Sequence, residues 1–134
     1  MQLQIGSALV DVRQRVVVIG EDDEPVARLL RDALNDEPAY QAVIVPGGAL
    51  MLDTVRQVHG DLPILDVMMP GPSAIGVFDR VHPDPDVRNM PVLFATAASQ
   101  DYQREFRDRT IADVIAKPFD LIELHGKVRS LCPP

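Results

Sequence analysis

A chain of 134 residues, 46% of them hydrophobic, has the size of one domain and enough apolar material for an ordinary core. Its formal charge of -7 and pI near 4.8 weigh against direct binding of a nucleic-acid backbone, an affinity that rests on clustered Lys and Arg releasing counterions. The lone Cys132 excludes an internal disulfide and suits a reducing, cytoplasmic setting, and no apolar run is long enough to span a bilayer.

The first residues lack the basic region and continuous apolar stretch of an export signal, so the chain is expected to be soluble and unprocessed. Residues 1–14 are read as an N-terminal extension in which Leu3, Ile5, Leu9, Val10 and Val12 alternate loosely. That pattern suits an added strand, a short helix or an irregular lead equally. From Arg15 onward, apolar strand-like runs alternate with helix-like patterns, the rhythm of a parallel sheet.

The runs are residues 16–19, 42–45, 62–65, 91–95 and 113–116, rich in Val, Ile and Leu and mostly without polar alternation, as in strands covered on both faces. Pro63 removes a ladder hydrogen bond, so the third strand is expected to begin only at Ile64. Val26, Leu29, Leu30, Ala33 and Leu34 share one helical face behind Pro25, which suits a first turn. Met51, Val55 and Val58 predict a second helix after Pro46-Gly47-Gly48, residues 75–81 a third, and residues 100–107 a polar fourth. The last helix is predicted to start at an N-cap, Asp120, with Glu123 three residues on, and to carry Leu121, Leu124, Val128 and Leu131 on its apolar side. Five such units in residues 15–134 fit an α/β fold, the doubly wound five-stranded parallel sheet of flavodoxin-like order 2-1-3-4-5 with five helices. The order comes from that fold and not from periodicity.

Four of the five runs end in polar groups: Glu21-Asp22-Asp23, Asp66, Thr96 and Lys117. In an open parallel sheet the carboxyl ends of the strands share one edge, where ligands bind, so these residues are predicted to converge. Several carboxylates suit a hard cation such as magnesium, which keeps room for waters and phosphate oxygens. An aspartate carboxylate can attack a phosphoryl group, while an ammonium and a hydroxyl neutralise and bind the transferred oxygens. The acidic residues 21–24 also favour the positive end of the first helix, and both roles can hold together.

Asp22-Asp23-Glu24-Pro25, Leu65-Asp66-Val67-Met68-Met69-Pro70-Gly71, Pro91-Val92-Leu93-Phe94-Ala95-Thr96-Ala97 and Lys117-Pro118-Phe119-Asp120 together resemble the marks of response-regulator receiver domains of two-component signalling. The resemblance covers residues 15–131. It implies that Asp66 is the phosphoacceptor, that Asp22, Asp23, Asp66 and the Met68 backbone carbonyl bind Mg2+, that Thr96 is the switch hydroxyl and that Lys117 is the phosphate partner. It also implies a cis bond before Pro118. Counting back from Pro25 selects Asp22 and Asp23, with Glu21 in reserve because Gly20-Glu21 stands where the family has two more apolar strand residues.

The chain departs from the family in three further places, one of them Thr110-Ile111 where many relatives have Gly-Ala before the last strand. Ser73-Ala74 replaces a common Asp-Gly pair, and Val114 stands where many receivers carry a Tyr or Phe that turns inward with the threonine. The implied function is a receiver domain taking a phosphoryl group from a sensor histidine kinase or phosphotransfer protein onto Asp66 and switching a surface toward a downstream effector or output domain. A homodimer stays open, as does whether the chain stands alone or was excised from a longer protein. The alternatives are a pseudo-receiver acting as a phosphorylation-independent interaction module, and an aspartyl-phosphate hydrolase. The hydrolase lacks a second acid at Met68 to serve as general acid.

Overall fold

The structure is a computed structural model that describes residues 2–5, 8–11, 14–68, 74–85, 87–97 and 100–134. Strands β1 (Gln2–Ile5) and β2 (Ala8–Asp11) pair antiparallel, Leu3 opposite Val10, as a separate two-stranded sheet. Of the three forms open to residues 1–14, residues 2–5 and 8–11 take the strand.

β3 (Arg15–Gly20), β4 (Tyr40–Val45), β5 (Leu62–Leu65), β6 (Leu93–Thr96) and β7 (Val114–Ala116) form one parallel sheet in the order β4-β3-β5-β6-β7. Counted along the sheet's own strands this is 2-1-3-4-5, the expected doubly wound topology. Helices α1 (Glu24–Asn35), α2 (Met51–Gln57), α3 (Ala74–Val81), α4 (Gln103–Asp108) and α5 (Leu121–Leu131) make the connections, with a 3-10 turn at Gly48–Leu50 before α2. Among the described residues no helix is long and apolar enough to cross a membrane.

The continuous apolar runs work because each strand buries both faces. Val17 and Ile19 join Leu30, Leu34, Leu124 and Val128 in a core under α1 and α5. Val18, between them, joins Met51, Val55, Val77, Phe94 and Phe106 under α2, α3 and α4. Gly60, leading into β5, permits that packing: a Cβ there would come within 3.0 Å of Val18 Cγ2.

Pro63 does not delay β5, which begins at Leu62 with Pro63 opposite Val18. The Asp66 N–H donates to the Gly20 carbonyl at 3.0 Å, so alternation along the strand turns the proline's missing N–H away from β3 and toward β6. Pairing with β6 starts only at Ile64 opposite Leu93, one residue later. The proline thus lies where no ladder bond is needed.

Candidate phosphoryl-acceptor site

The first and third strands of the parallel order end together. Gly20 pairs with Leu65, so Glu21 and Asp66 leave adjacent strands side by side. The Glu21 N–H stays tied to the sheet through the Val45 carbonyl at 3.2 Å. Next along the edge, Thr96 pairs with Ala116, and the Lys117 N–H donates to the Thr96 carbonyl at 3.1 Å. Thr96 is fully buried, and Glu21 and Asp66 are the other buried polar side chains among the described residues. The Lys117–Pro118 bond is cis.

Lys117 Nζ donates to Glu21 Oε1 at 2.8 Å and to Asp66 Oδ2 at 2.9 Å, and the Met68 N–H donates to Asp66 Oδ1 at 2.9 Å. One carboxylate oxygen from each of Glu21, Asp22 and Asp66 lies within 4.8 Å of the others. Two buried carboxyls and one exposed one around a single ammonium suit a hard divalent cation, which takes oxygen ligands and would relieve their mutual repulsion.

Electrostatics separate the two buried acids. Burial pushes the Glu21 carboxyl up to about 7, against the Lys117 hydrogen bond and with the help of Asp66. Burial opposes ionisation of Asp66 as well, but hydrogen bonds from Glu21, Lys117 and the Met68 N–H outweigh it and hold its pKa below the ordinary carboxylate value. Burial of Lys117 is likewise outweighed by its bonds to Glu21 and Asp66, which raise its pKa. Without a cation the cluster therefore favours an ionised Asp66 beside the Lys117 ammonium, and a proton taken up by the two acids goes to Glu21 before Asp66.

Of the expected site residues, the strand ends bring Asp22, Asp66 and Lys117 into this cluster and set Thr96 beside Lys117. Asp23 is elsewhere: it is the N-cap of α1, its carboxylate accepting from the Val26 N–H at 3.4 Å. Glu21, held in reserve on sequence grounds, fills the buried place instead. It directly follows Gly20, the last residue of β3, a boundary that the apolar run ending at Ile19 does not mark. Val114 is half-buried opposite Phe94. The segment Met69 to Ser73 and Ala98 lie outside the described residues.

The family model described as "Response regulator receiver domain" matches residues 17–129. The chain belongs to the response-regulator receiver domain family. It is 32% identical over 120 residues to the DNA-binding response regulator MtrA of Mycolicibacterium paratuberculosis, covering 89% of this receiver and 51% of MtrA. It is 28% identical over 116 residues to the sensor histidine kinase TmoS of Ectopseudomonas mendocina, covering 86% of this chain and 12% of TmoS. The receiver therefore spans about half of one relative and a small part of the other. The fold is shared with the signal receiver domain of a DNA-binding response regulator from Colwellia psychrerythraea 34H, with a TM-score of 0.80, 23% identity, and 90% and 100% of the two chains covered.

Proposed function

We propose that this receiver is a phosphorylation switch in which Asp66 accepts a phosphoryl group from a histidine kinase or phosphotransfer protein. The observation that carries this reading is the convergence of Lys117 on Asp66 and Glu21 beside Asp22, with Asp66 held ionised. An ionised carboxylate is the nucleophilic form: an Asp66 oxygen forms a bond to phosphorus as the bond to the donor's imidazole nitrogen breaks. Lys117 then stands by the transferred oxygens, and the buried Thr96 supplies the hydroxyl at the neighbouring strand end. Glu21, Asp22, Asp66 and the Met68 carbonyl are the groups that would hold Mg2+. When bound, Mg2+ neutralises charge on the transferred oxygens. In this reading Asp23 serves α1 as its cap, and the β1–β2 hairpin is an addition ahead of a receiver that begins at Arg15.

Intact mass after incubation with Mg2+ and acetyl phosphate tests the proposal. The expected result is one phosphoryl adduct on the wild type and none on Asp66→Asn. An unmodified wild type would point instead to a phosphate-independent interaction module, and rapid multiple turnover of acetyl phosphate to a hydrolase. Met68, 60% exposed beside Asp66, and Ala98 stand at positions that in relatives can orient a water, and both are apolar, so the adduct is expected to be long-lived. Its loss within seconds of donor removal would contradict that.

A further inference from the structure

Met68 touches the site and also something beyond it. Its N–H donates to Asp66 Oδ1 at 2.9 Å, while its Sδ accepts from the Tyr102 hydroxyl at 3.6 Å. Tyr102 immediately precedes α4, and its ring lies 6.4 Å from that of Phe106. Phe106 lies 5.4 Å from Phe94, Phe94 lies 6.2 Å from Phe78, and Phe78 stacks on His82 at 5.6 Å. Phe94 and Phe106 are buried, and Phe78 and Tyr102 pack against the same core. A single file of contacts thus runs from the acceptor aspartate through Tyr102 to the end of α3.

We propose that Tyr102 stands in for the aromatic residue that Val114 lacks, reading the state of Asp66 through Met68 and passing it along these rings to the α3–α4 face. The inference rests on the phosphorylation reading above. A phosphoryl group turns the Asp66 carboxylate into an acyl phosphate, whose oxygen is a weaker acceptor for the Met68 N–H, so the hold on the Met68 backbone loosens. The Met68 thioether is a weak acceptor, so the Tyr102 hydroxyl is cheap to release from it. The ring that moves with it presses on Phe106, and a close-packed core answers a displaced ring by shifting the next one. Where the file ends, Phe78, Asp79, His82, Asp108, Arg109 and Thr110 line an open cleft of about 620 Å³. Arg109 clasps Asp79 across it with two hydrogen bonds of 2.7 and 2.9 Å. That cleft is where the changed state would be presented.

The chain has no Trp and two Tyr, which gives a direct test by 19F NMR of fluorotyrosine-labelled protein. Tyr40 is the internal control, buried on the opposite face with its hydroxyl donating to the Cys132 carbonyl at 2.7 Å. With Mg2+ and acetyl phosphate, and phosphorylation verified by intact mass on the same sample, the Tyr102 resonance is expected to shift, the Tyr40 resonance to stay, and Asp66→Asn to abolish the change. Tyr102→Leu should reach the wild-type adduct yield yet lose the phosphorylation-dependent amide shifts of Phe78 and Arg109, and Tyr102→Phe checks the hydroxyl with the ring kept. A phosphorylated sample whose Tyr102 resonance has not moved, or amide shifts that persist in Tyr102→Leu, would overturn the relay and leave Asp66 as acceptor intact. A sample that takes no phosphoryl group overturns both.

Discussion

On one side of the sheet, α1 and α5 are 12 and 11 residues long, and each starts at an aspartate that accepts a backbone N–H, Asp23 from Val26 and Asp120 from Glu123. On the other, α2, α3 and α4 have 7, 8 and 6 residues, and neither α2 nor α4 has a side-chain cap. The capped pair is further stitched to the sheet's rim: Glu37, after α1, meets both His125 and Arg129 of α5, and Tyr40 reaches the Cys132 carbonyl. Helices this short draw their stability from tertiary packing and little from their own turns. The proposed switch would need one face that holds and one that yields, and the helix lengths and caps divide the two faces in that way.

The largest expected effect tests that division directly. Leu34, fully buried on the inner face of α1, sits among long capped helices that cannot collapse into a vacated space, so Leu34→Ala should cost about 4 kcal/mol in urea unfolding. Phe106 is the larger side chain, but α4 is barely two turns and free to settle inward. Phe106→Ala should therefore cost about 2 kcal/mol, less than its size implies. An equal or larger loss for Phe106→Ala would break the comparison.

A second effect belongs to the edge where the faces meet. The Glu21 carboxyl is raised to about 7 in the metal-free fold, so its protonated form is favoured by folding. The sign follows: this stability is fully present below the ordinary value of 4.5 and is lost as pH rises through about 7. Asp66 works the other way, its contribution complete above the ordinary 3.8 and lost only as pH falls through its lowered folded value. Between those limits, with EDTA present, the wild type should lose up to a few kcal/mol relative to Glu21→Gln as pH rises. Parallel urea midpoints for the two proteins would show no such slope if Glu21 were ionised throughout.

Asp23 and Asp22 sharpen the division between cap and cluster. Asp23→Ala should cost about 1 kcal/mol, as loss of a helix cap does, and leave Mg2+ affinity nearly unchanged. Asp22→Asn should weaken Mg2+ binding about tenfold or more with little effect on stability, measured by calorimetric titration. The reverse pattern would return Asp23 to the metal.

These residues also mark how far the sequence could be read. The five strands, the first turn of α1 and the α5 cap were legible because apolar runs, Pro25, Asp120 and Glu123 report local preferences that packing then confirms. The convergence of Asp66 and Lys117 was legible because a parallel sheet gathers its strand ends. The burial of Glu21 in the cluster and the place of Asp23 at the cap were not, since they need the register of Gly20 on Leu65 to within one residue. Pro63 was misjudged for a similar reason: whether a strand tolerates proline depends on which neighbour its N–H faces. The Met68–Tyr102 contact spans 34 residues and carries no local signature.

The smallest expected effect lies on the yielding face. The Arg109 guanidinium holds Asp79 ionised below the ordinary carboxylate value, and Arg109 also donates to the Glu105 carbonyl at 3.1 Å, tying α3 to the end of α4. Both partners are substantially exposed, 50% for Asp79 and 27% for Arg109, so water and salt screen the pair and its share of global stability is small. Asp79→Asn should barely move the urea midpoint, and less still in high salt. Its stabilising effect is present above the ordinary 3.8 and fades as pH falls through the lowered folded value, so wild type and variant should converge in acid. Local opening should respond more: amide exchange in α4 should quicken in Asp79→Asn while exchange in α1 and α5 stays as in the wild type. Leu34→Ala should do the opposite, speeding exchange on both faces through global unfolding. If Asp79→Asn lowered protection evenly across both faces, the clasp would be part of a single rigid core, and the two sides of the sheet would not be separable in the way their helices suggest.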